Sequence, residues 1–92
     1  MENQRIIRLD GNAIHSLDEF YDQISLLLLF PHYFGRNLDA LWDCLTEISD
    51  PILVIWTESS LSAASIGPEF ANLKQLFSEL PSSSSKVQFE LR

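Results

Sequence analysis

Ile52-Leu53-Val54-Ile55-Trp56 sets five apolar residues in succession directly after Asp50-Pro51. A strand wetted on one side alternates apolar with polar residues, whereas an unbroken short run bounded by turn signals reads as a strand covered on both faces, at the centre of a parallel sheet between helices. Parallel neighbours cannot be joined by a tight turn and need crossover connections, usually helical. The remaining sequence should therefore supply flanking strands and the helices between them.

It supplies both. Arg5 to Leu9 is a short segment with two isoleucines that stops at Asp10-Gly11-Asn12, and it reads as a first strand. Lys86 to Leu91 alternates Lys, Val, Gln, Phe, Glu, Leu, which puts Val87, Phe89 and Leu91 on one face of a last strand. Ser16 and Glu19 form a Ser-x-x-Glu capping box, predicting a helix from Leu17 to about Leu29 whose stripe is Leu17, Phe20, Ile24, Leu27 and Leu28. Pro31 disfavours helix at Phe30 and Gly35 permits a turn, so Phe30 to Arg36 reads as an ordered loop with two exposed aromatics, Tyr33 and Phe34.

Asn37 is a good N-cap for a second helix with the seam Leu38, Leu41, Leu45 and Ile48. Ser59 to Ile66 is ambiguous, a possible short helix. Gly67-Pro68 followed by Phe70, Leu73, Leu76, Phe77 and Leu80 predicts a helix with Pro at its first turn that ends near Leu80, before a polar connector at Pro81 to Ser85. The expected fold class is α/β, a small three-stranded parallel sheet packed with helices, in one domain over residues 1–92.

Charge narrows the choice of partner. Thirteen Asp plus Glu against six Lys plus Arg give a net charge of −7, the wrong sign for a nucleic-acid binder and the right one for a basic partner. One cysteine, Cys44, excludes an intramolecular disulfide. The polar start Met-Glu-Asn-Gln-Arg lacks the apolar run of a signal peptide, and no stretch approaches the ~20 residues of a membrane span. The expectation is a cytoplasmic protein, monomeric when free, without nucleic acid or membrane as partner.

On the second helix Asp39, Asp43 and Glu47 stand at i, i+4 and i+8, stacking three carboxylates on one face. Like charges at this spacing cost about 0.2–0.5 kcal/mol per pair, and the helix dipole offsets this only for Asp39 in the first turn. Trp42 lies beside the stripe and Tyr33 enters from the loop upstream. Carboxylates with Tyr and Trp are interface chemistry, although the same composition also fits a solvated acidic face with a half-buried Trp.

The run Pro31-His32-Tyr33-Phe34-Gly35-Arg36-Asn37-Leu38-Asp39-Ala40-Leu41-Trp42-Asp43-Cys44-Leu45 closely resembles the loop and second helix of the barstar family, bacterial inhibitors of ribonucleases such as barnase. More loosely, the likeness extends to the Asp-Gly after the first strand, the Pro-led strand ending at Trp56, and Gln75-Leu76-Phe77-Ser78-Glu79. It implies a barstar-like fold and an inhibitor, not an enzyme, that inserts the second helix and its preceding loop into a ribonuclease cleft. By matching positions it implies contact roles for Tyr33, Asn37, Asp39, Trp42, Asp43 and Glu79, with Asp43 standing in for a substrate phosphate. Phe34, Gly35, Arg36, Thr46 and Glu47 complete the expected partner-binding set.

Within the match, His32 and Arg36 stand where the family's founding inhibitor is acidic, Glu47 replaces a contacting Gly, and Ile48 replaces a Trp. These departures imply a nuclease other than barnase and lean toward an immunity or antitoxin role in a one-to-one complex with a ribonuclease toxin. Arg36 could pair with Asp39 or meet an acidic residue of the partner.

Other chemistries fit the sequence less well. Cys44 sits in an apolar-rich helix with no identifiable base and reads as a packing cysteine. His15 and His32 are isolated, so no zinc spacing exists. Asp39 and Asp43 could in principle hold a hard cation or act as acid and base, but nothing supplies the further oxygen ligands or a cleft. No nucleotide loop, nucleophile elbow or cofactor fingerprint occurs, so no cofactor is expected. An acidic mimic of nucleic acid, or a module for another basic partner, is the alternative to the inhibitor reading.

Overall fold

The computed structural model describes residues 4–92; residues 1–3, within the polar start considered above, lie outside the described residues. The strands β1 (Arg5–Asp10), β2 (Ile52–Thr57) and β3 (Val87–Leu91) form a parallel sheet in the order β1-β2-β3. Ile7 sits opposite Val54, and Val54 opposite Phe89. Helices α1 (Leu17–Leu27) and α2 (Leu38–Glu47) fill the first crossover, α3 (Ser59–Ile66) and α4 (Glu69–Glu79) the second.

The expected central strand is central, but its coverage is not symmetrical. Ile52, Val54 and Trp56 enter the core cluster together with Ile7, Leu9 and Val87 of the neighbouring strands, on the face that meets the helices. On the other face Leu53 is half-buried and Ile6 is 58% exposed. Ile55 is buried without joining that cluster, because its register neighbours Arg8 and Glu90 flank it within the sheet and long charged side chains cover apolar surface with their stems. The expectation of helices on both faces is thus corrected to a two-layer fold.

Trp56 organises the helical layer. Its indole stacks on Phe20 of α1 at 5.0 Å between centroids and meets Phe70 of α4 edge-on at 5.3 Å. Emptying so large a buried site costs about 3–5 kcal/mol. The indole N–H donates to Ser62 Oγ, and that hydroxyl donates to the Gly11 carbonyl, tying β2, α3 and the turn after β1 together. Gly11 admits no side chain here, since a Cβ would lie 2.2 Å from the Thr57 carbonyl oxygen.

Several boundaries shift for physical reasons. Helix α1 stops at Leu27, because Leu28 caps it and Leu29 turns left-handed at φ 56°. The ambiguous Ser59 to Ile66 is a helix with no side-chain cap, entered through Glu58 at φ 51°. Pro68 precedes α4 as its cap residue instead of opening it, and Leu80 begins a 3-10 turn. The capping box forms with an offset: Ser16 Oγ accepts from Glu19 N–H, but the Glu19 carboxylate accepts from His15 N–H, one residue earlier than a reciprocal box requires.

Candidate protein-binding face

The loop before α2 is held from inside. Phe34 packs edge-on against Phe30 at 5.0 Å and against buried Tyr21 of α1 at 5.7 Å. Its backbone N–H donates to the Pro31 carbonyl. The expectation of two exposed aromatics therefore holds for Tyr33, 79% exposed, and is corrected for Phe34, which is half-buried and anchors the loop. Two adjacent aromatics on a tight turn point opposite ways, and only the fold decides which one faces inward.

The left-handed residue of this loop is Arg36, at φ 54°, not Gly35. Gly35 serves instead by being small, since a Cβ there would approach the Ala40 Cβ and Asn37 Nδ2 at 3.3 Å. A left-handed non-glycine residue costs on the order of 1–2 kcal/mol, and the Arg36 side chain makes offsetting contacts. Its guanidinium lies 3.0 Å from the Asp22 carboxylate and 3.4 Å from that of Asp18, and it donates to the Asp18 carbonyl at 2.9 Å. Arg36 is thus paired internally, with two acids of α1 and not with Asp39, which corrects the pairing considered from sequence.

Asn37 caps α2 as expected, its Oδ1 accepting from Ala40 N–H at 2.8 Å while its Nδ2 donates to the Gly35 carbonyl. Leu41 and Leu45 are fully buried, with Leu38 and Ile48 packed partly against the core, and this seam turns Asp39, Asp43 and Glu47 outward, all three exposed. Among the described residues none of the three forms an ion pair or a side-chain hydrogen bond. Thr46 is half-buried and turns its hydroxyl back to donate to the Trp42 carbonyl at 2.8 Å. Cys44, expected to be buried, is only half-buried. Burial pushes its thiol pKa up, and the nearby Glu47 and Asp43 carboxylates push it further, so the group is disfavoured as a nucleophile.

Three concavities meet along α2. Tyr33, Gly35, Asp43 and Glu47 border one beside the loop. Asp39, Trp42 and Glu79 share a second with Leu76 of α4, where Glu79 is exposed and accepts from Gln75 Nε2. Arg36, Asn37 and Asp39 border the third, with Tyr21, Glu69 and Asn72. The sequence reading missed those last three. Glu69 and Asn72 carry no motif of their own in the sequence, and Tyr21 lies off the stripe Leu17, Phe20, Ile24, Leu27, Leu28, although a stripe shifted by one residue includes it. No group of three or more His, Cys, Asp or Glu among the described residues is placed to hold a metal ion.

A two-layer α/β fold that turns one acidic, aromatic-flanked helix face toward solvent presents the kind of surface that suits a basic protein partner. Residues 4–92 match the family model described as Barstar (barnase inhibitor), and the chain belongs to the barstar family. A protein of Bacillus subtilis (strain 168) named "Putative ribonuclease inhibitor YrdF" is 38% identical over 68 residues, which cover 74% of this chain and 66% of that relative. The chain therefore spans just under two thirds of that relative's length. The family is one of inhibitors and not of enzymes, and the non-enzyme reading of this chain rests on that membership. No helix among the described residues is long and apolar enough to cross a membrane.

Proposed function

We propose that this chain inhibits a ribonuclease by seating α2 and the preceding loop in its active-site cleft, one to one and without chemistry of its own. The observation that carries the reading is the row Asp39, Asp43, Glu47, three exposed carboxylates without partners among the described residues, on a helix whose other side is locked into the core. A ribonuclease cleft is built to hold phosphate, so a carboxylate on a rigid helix is a suitable substitute. Asp43 takes the phosphate's place, Asp39 and Glu79 meet basic residues at the rim, and Tyr33 and Trp42 supply rigid contact area. Asn37 and Gly35 shape the entering loop. Phe34 and Arg36 contribute by holding it, and Thr46 and Glu47 extend the contact along the helix.

A producer of such a nuclease needs a cytoplasmic inhibitor, and so does a neighbour exposed to it. The changes at His32, Arg36, Glu47 and Ile48 favour an antitoxin or immunity protein for a nuclease other than barnase. Because α2 is preformed and the partner is basic, electrostatics speeds association. The rate falls as salt rises, since screening acts over about 8–10 Å at 0.1–0.15 M ionic strength.

The test is titration of this chain into RNA-cleavage assays with barnase and with any nuclease that the coding sequence beside its own specifies. Cleavage by at least the neighbouring nuclease ends at an equimolar dose, while the chain alone hydrolyses no RNA. Unchanged cleavage by both enzymes at large excess of the chain overturns the reading.

A further inference from the structure

The pocket where α1, α2 and α4 meet shares Asp39 with the carboxylate stripe but runs away from it toward α1 and α4. It is open, encloses about 380 Å³, and has the apolar walls Leu17 and Leu38 and the polar groups Tyr21, Asp39, Glu69 and Asn72. That volume lies at the small end of ligand-sized pockets, which run from about 300 Å³ upward.

Tyr21 is the unusual member. The residue is only 3% exposed, its ring held between Phe20 and Phe34, yet its hydroxyl makes no hydrogen bond to any described residue. No buried side-chain oxygen or nitrogen among the described residues lacks a partner, so this oxygen is not sealed in and opens on the pocket its side chain lines. A buried phenol normally finds a partner for its hydroxyl, and here it is left one from outside. Burial first, then the Glu69 carboxylate, raises the Tyr21 pKa, with Arg36 acting against them and Asp18 adding to the rise. The hydroxyl therefore stays protonated, with lone pairs free to accept.

The charges around the pocket favour a cation. Asp39 and Glu69 are exposed and unpaired among the described residues. The positive group that lines the pocket among the described residues, Arg36, is already engaged by Asp18 and Asp22. Acceptors at the polar end and leucines along the wall match a side chain with an apolar stem and a positively charged head.

We propose that this pocket receives a Lys or Arg side chain of the partner, its head held by Glu69, Asp39 and the Tyr21 hydroxyl and its stem lying on Leu17 and Leu38. Asp39 and Asn72 border both this pocket and the groove of Trp42 and Glu79, so a protein that covers α2 also covers the pocket. Glu69 and Tyr21 then select among nucleases according to whether a basic residue stands at this point of the rim. The identity of the partner rests on the inhibitor reading above, whereas the charge of the group rests on the pocket alone.

Two measurements separate those dependencies. In the first, N-acetyl-arginine amide, N-acetyl-lysine amide and the uncharged N-acetyl-norleucine amide are titrated against the isotope-labelled full chain by NMR. Saturable shifts at Tyr21, Glu69 and Asn72 are expected with a cationic probe and not with norleucine. Glu69→Gln should abolish them, and Tyr21→Phe, which keeps the ring packing, should weaken binding about two- to tenfold, the worth of one hydrogen bond. No saturable shift with either cation, or shifts indifferent to Glu69→Gln, overturns the pocket. In the second, Glu69→Gln should weaken inhibition of the neighbouring nuclease by roughly tenfold or more. Full inhibition by that variant overturns the pocket and leaves the inhibitor reading standing, whereas probe binding with no nuclease inhibited by the wild type sinks the inhibitor reading and leaves a cation site.

Discussion

Helices α1 and α2 each carry carboxylates one turn apart on their exposed sides, Asp18 and Asp22 on the first, Asp39, Asp43 and Glu47 on the second. Only the first set has its counter-charge. Arg36 reaches back from the loop to both α1 acids, so their negative charge helps fix the loop in place. The α2 acids have no partner among the described residues, and their mutual repulsion is a small standing cost to the free protein. The same residue type at the same spacing thus serves architecture on one helix and stays available to a partner on the next. The difference comes from one arginine on a left-handed turn.

The most demanding test of this contrast is Asp43→Ala. Affinity for the inhibited ribonuclease should fall by about 2–5 kcal/mol, mainly through faster dissociation, a range to which measurements on the barnase–barstar complex themselves contribute. The folded state should be as stable as before, or more stable by a few tenths of a kcal/mol, because one or two like-charge pairs are relieved. Calorimetric titration and denaturant melts on the same variant decide the matter; a large stability loss with unchanged affinity would break the contrast.

Adjacent aromatics sharpen it. Phe34→Ala should cost about 1–3 kcal/mol of stability, less than the ~3–5 of a fully buried phenylalanine, because Phe34 is half-buried against Tyr21 and Phe30. Tyr33→Ala should leave the melt nearly unmoved and instead weaken binding by more than about 1 kcal/mol. Equal stability losses in the two variants would mean that Tyr33 is structural too.

Removing the counter-charge itself should matter less. Arg36→Ala should destabilise by about 0.2–1 kcal/mol, as expected for a partly exposed ion pair, and the deficit should shrink at 1 M salt, where the screening length is about 3 Å. A salt-independent deficit would assign the role of Arg36 to its packing over the Tyr21 ring, 5.8 Å from guanidinium to centroid.

The smallest effect concerns Cys44. Its thiol pKa is raised by burial first and then by Glu47 and Asp43, so the unfolded chain ionises before the folded one. The thiol's contribution to stability is set at neutral pH and falls as pH rises through the ordinary thiol range toward the raised folded value. Alkylation of the native protein should accordingly titrate above a free thiol, and Glu47→Gln should bring the midpoint part of the way back. A midpoint at or below that of a free thiol would contradict the assignment.

Much of this was legible in the residue order. Asn37 had to cap α2, because its side chain and the apolar spacing of Leu38, Leu41 and Leu45 point to the same boundary. The run Ile52 to Trp56 had to be a central strand, because nothing in it tolerates an edge in water. The stripe Asp39, Asp43, Glu47 follows from helical periodicity as soon as the helix is granted. Helix α3 resisted, since Ser59 to Ile66 has neither a cap nor a clear apolar face, and it forms because Ser62 fits between Trp56 and Gly11.

Local chemistry along the chain determined the elements, their order and the acidic face, since capping, periodicity and hydropathy act over a turn or two. The tertiary structure alone decided the rest: which of Tyr33 and Phe34 faces inward, that Arg36 spends its charge on α1, that helices cover one face of the sheet, and that Tyr21 and Glu69 come to border the same pocket as Asp39. Each of these depends on groups distant in sequence brought within a few ångströms, and contact and Coulomb energies are settled by that distance, which no local pattern encodes.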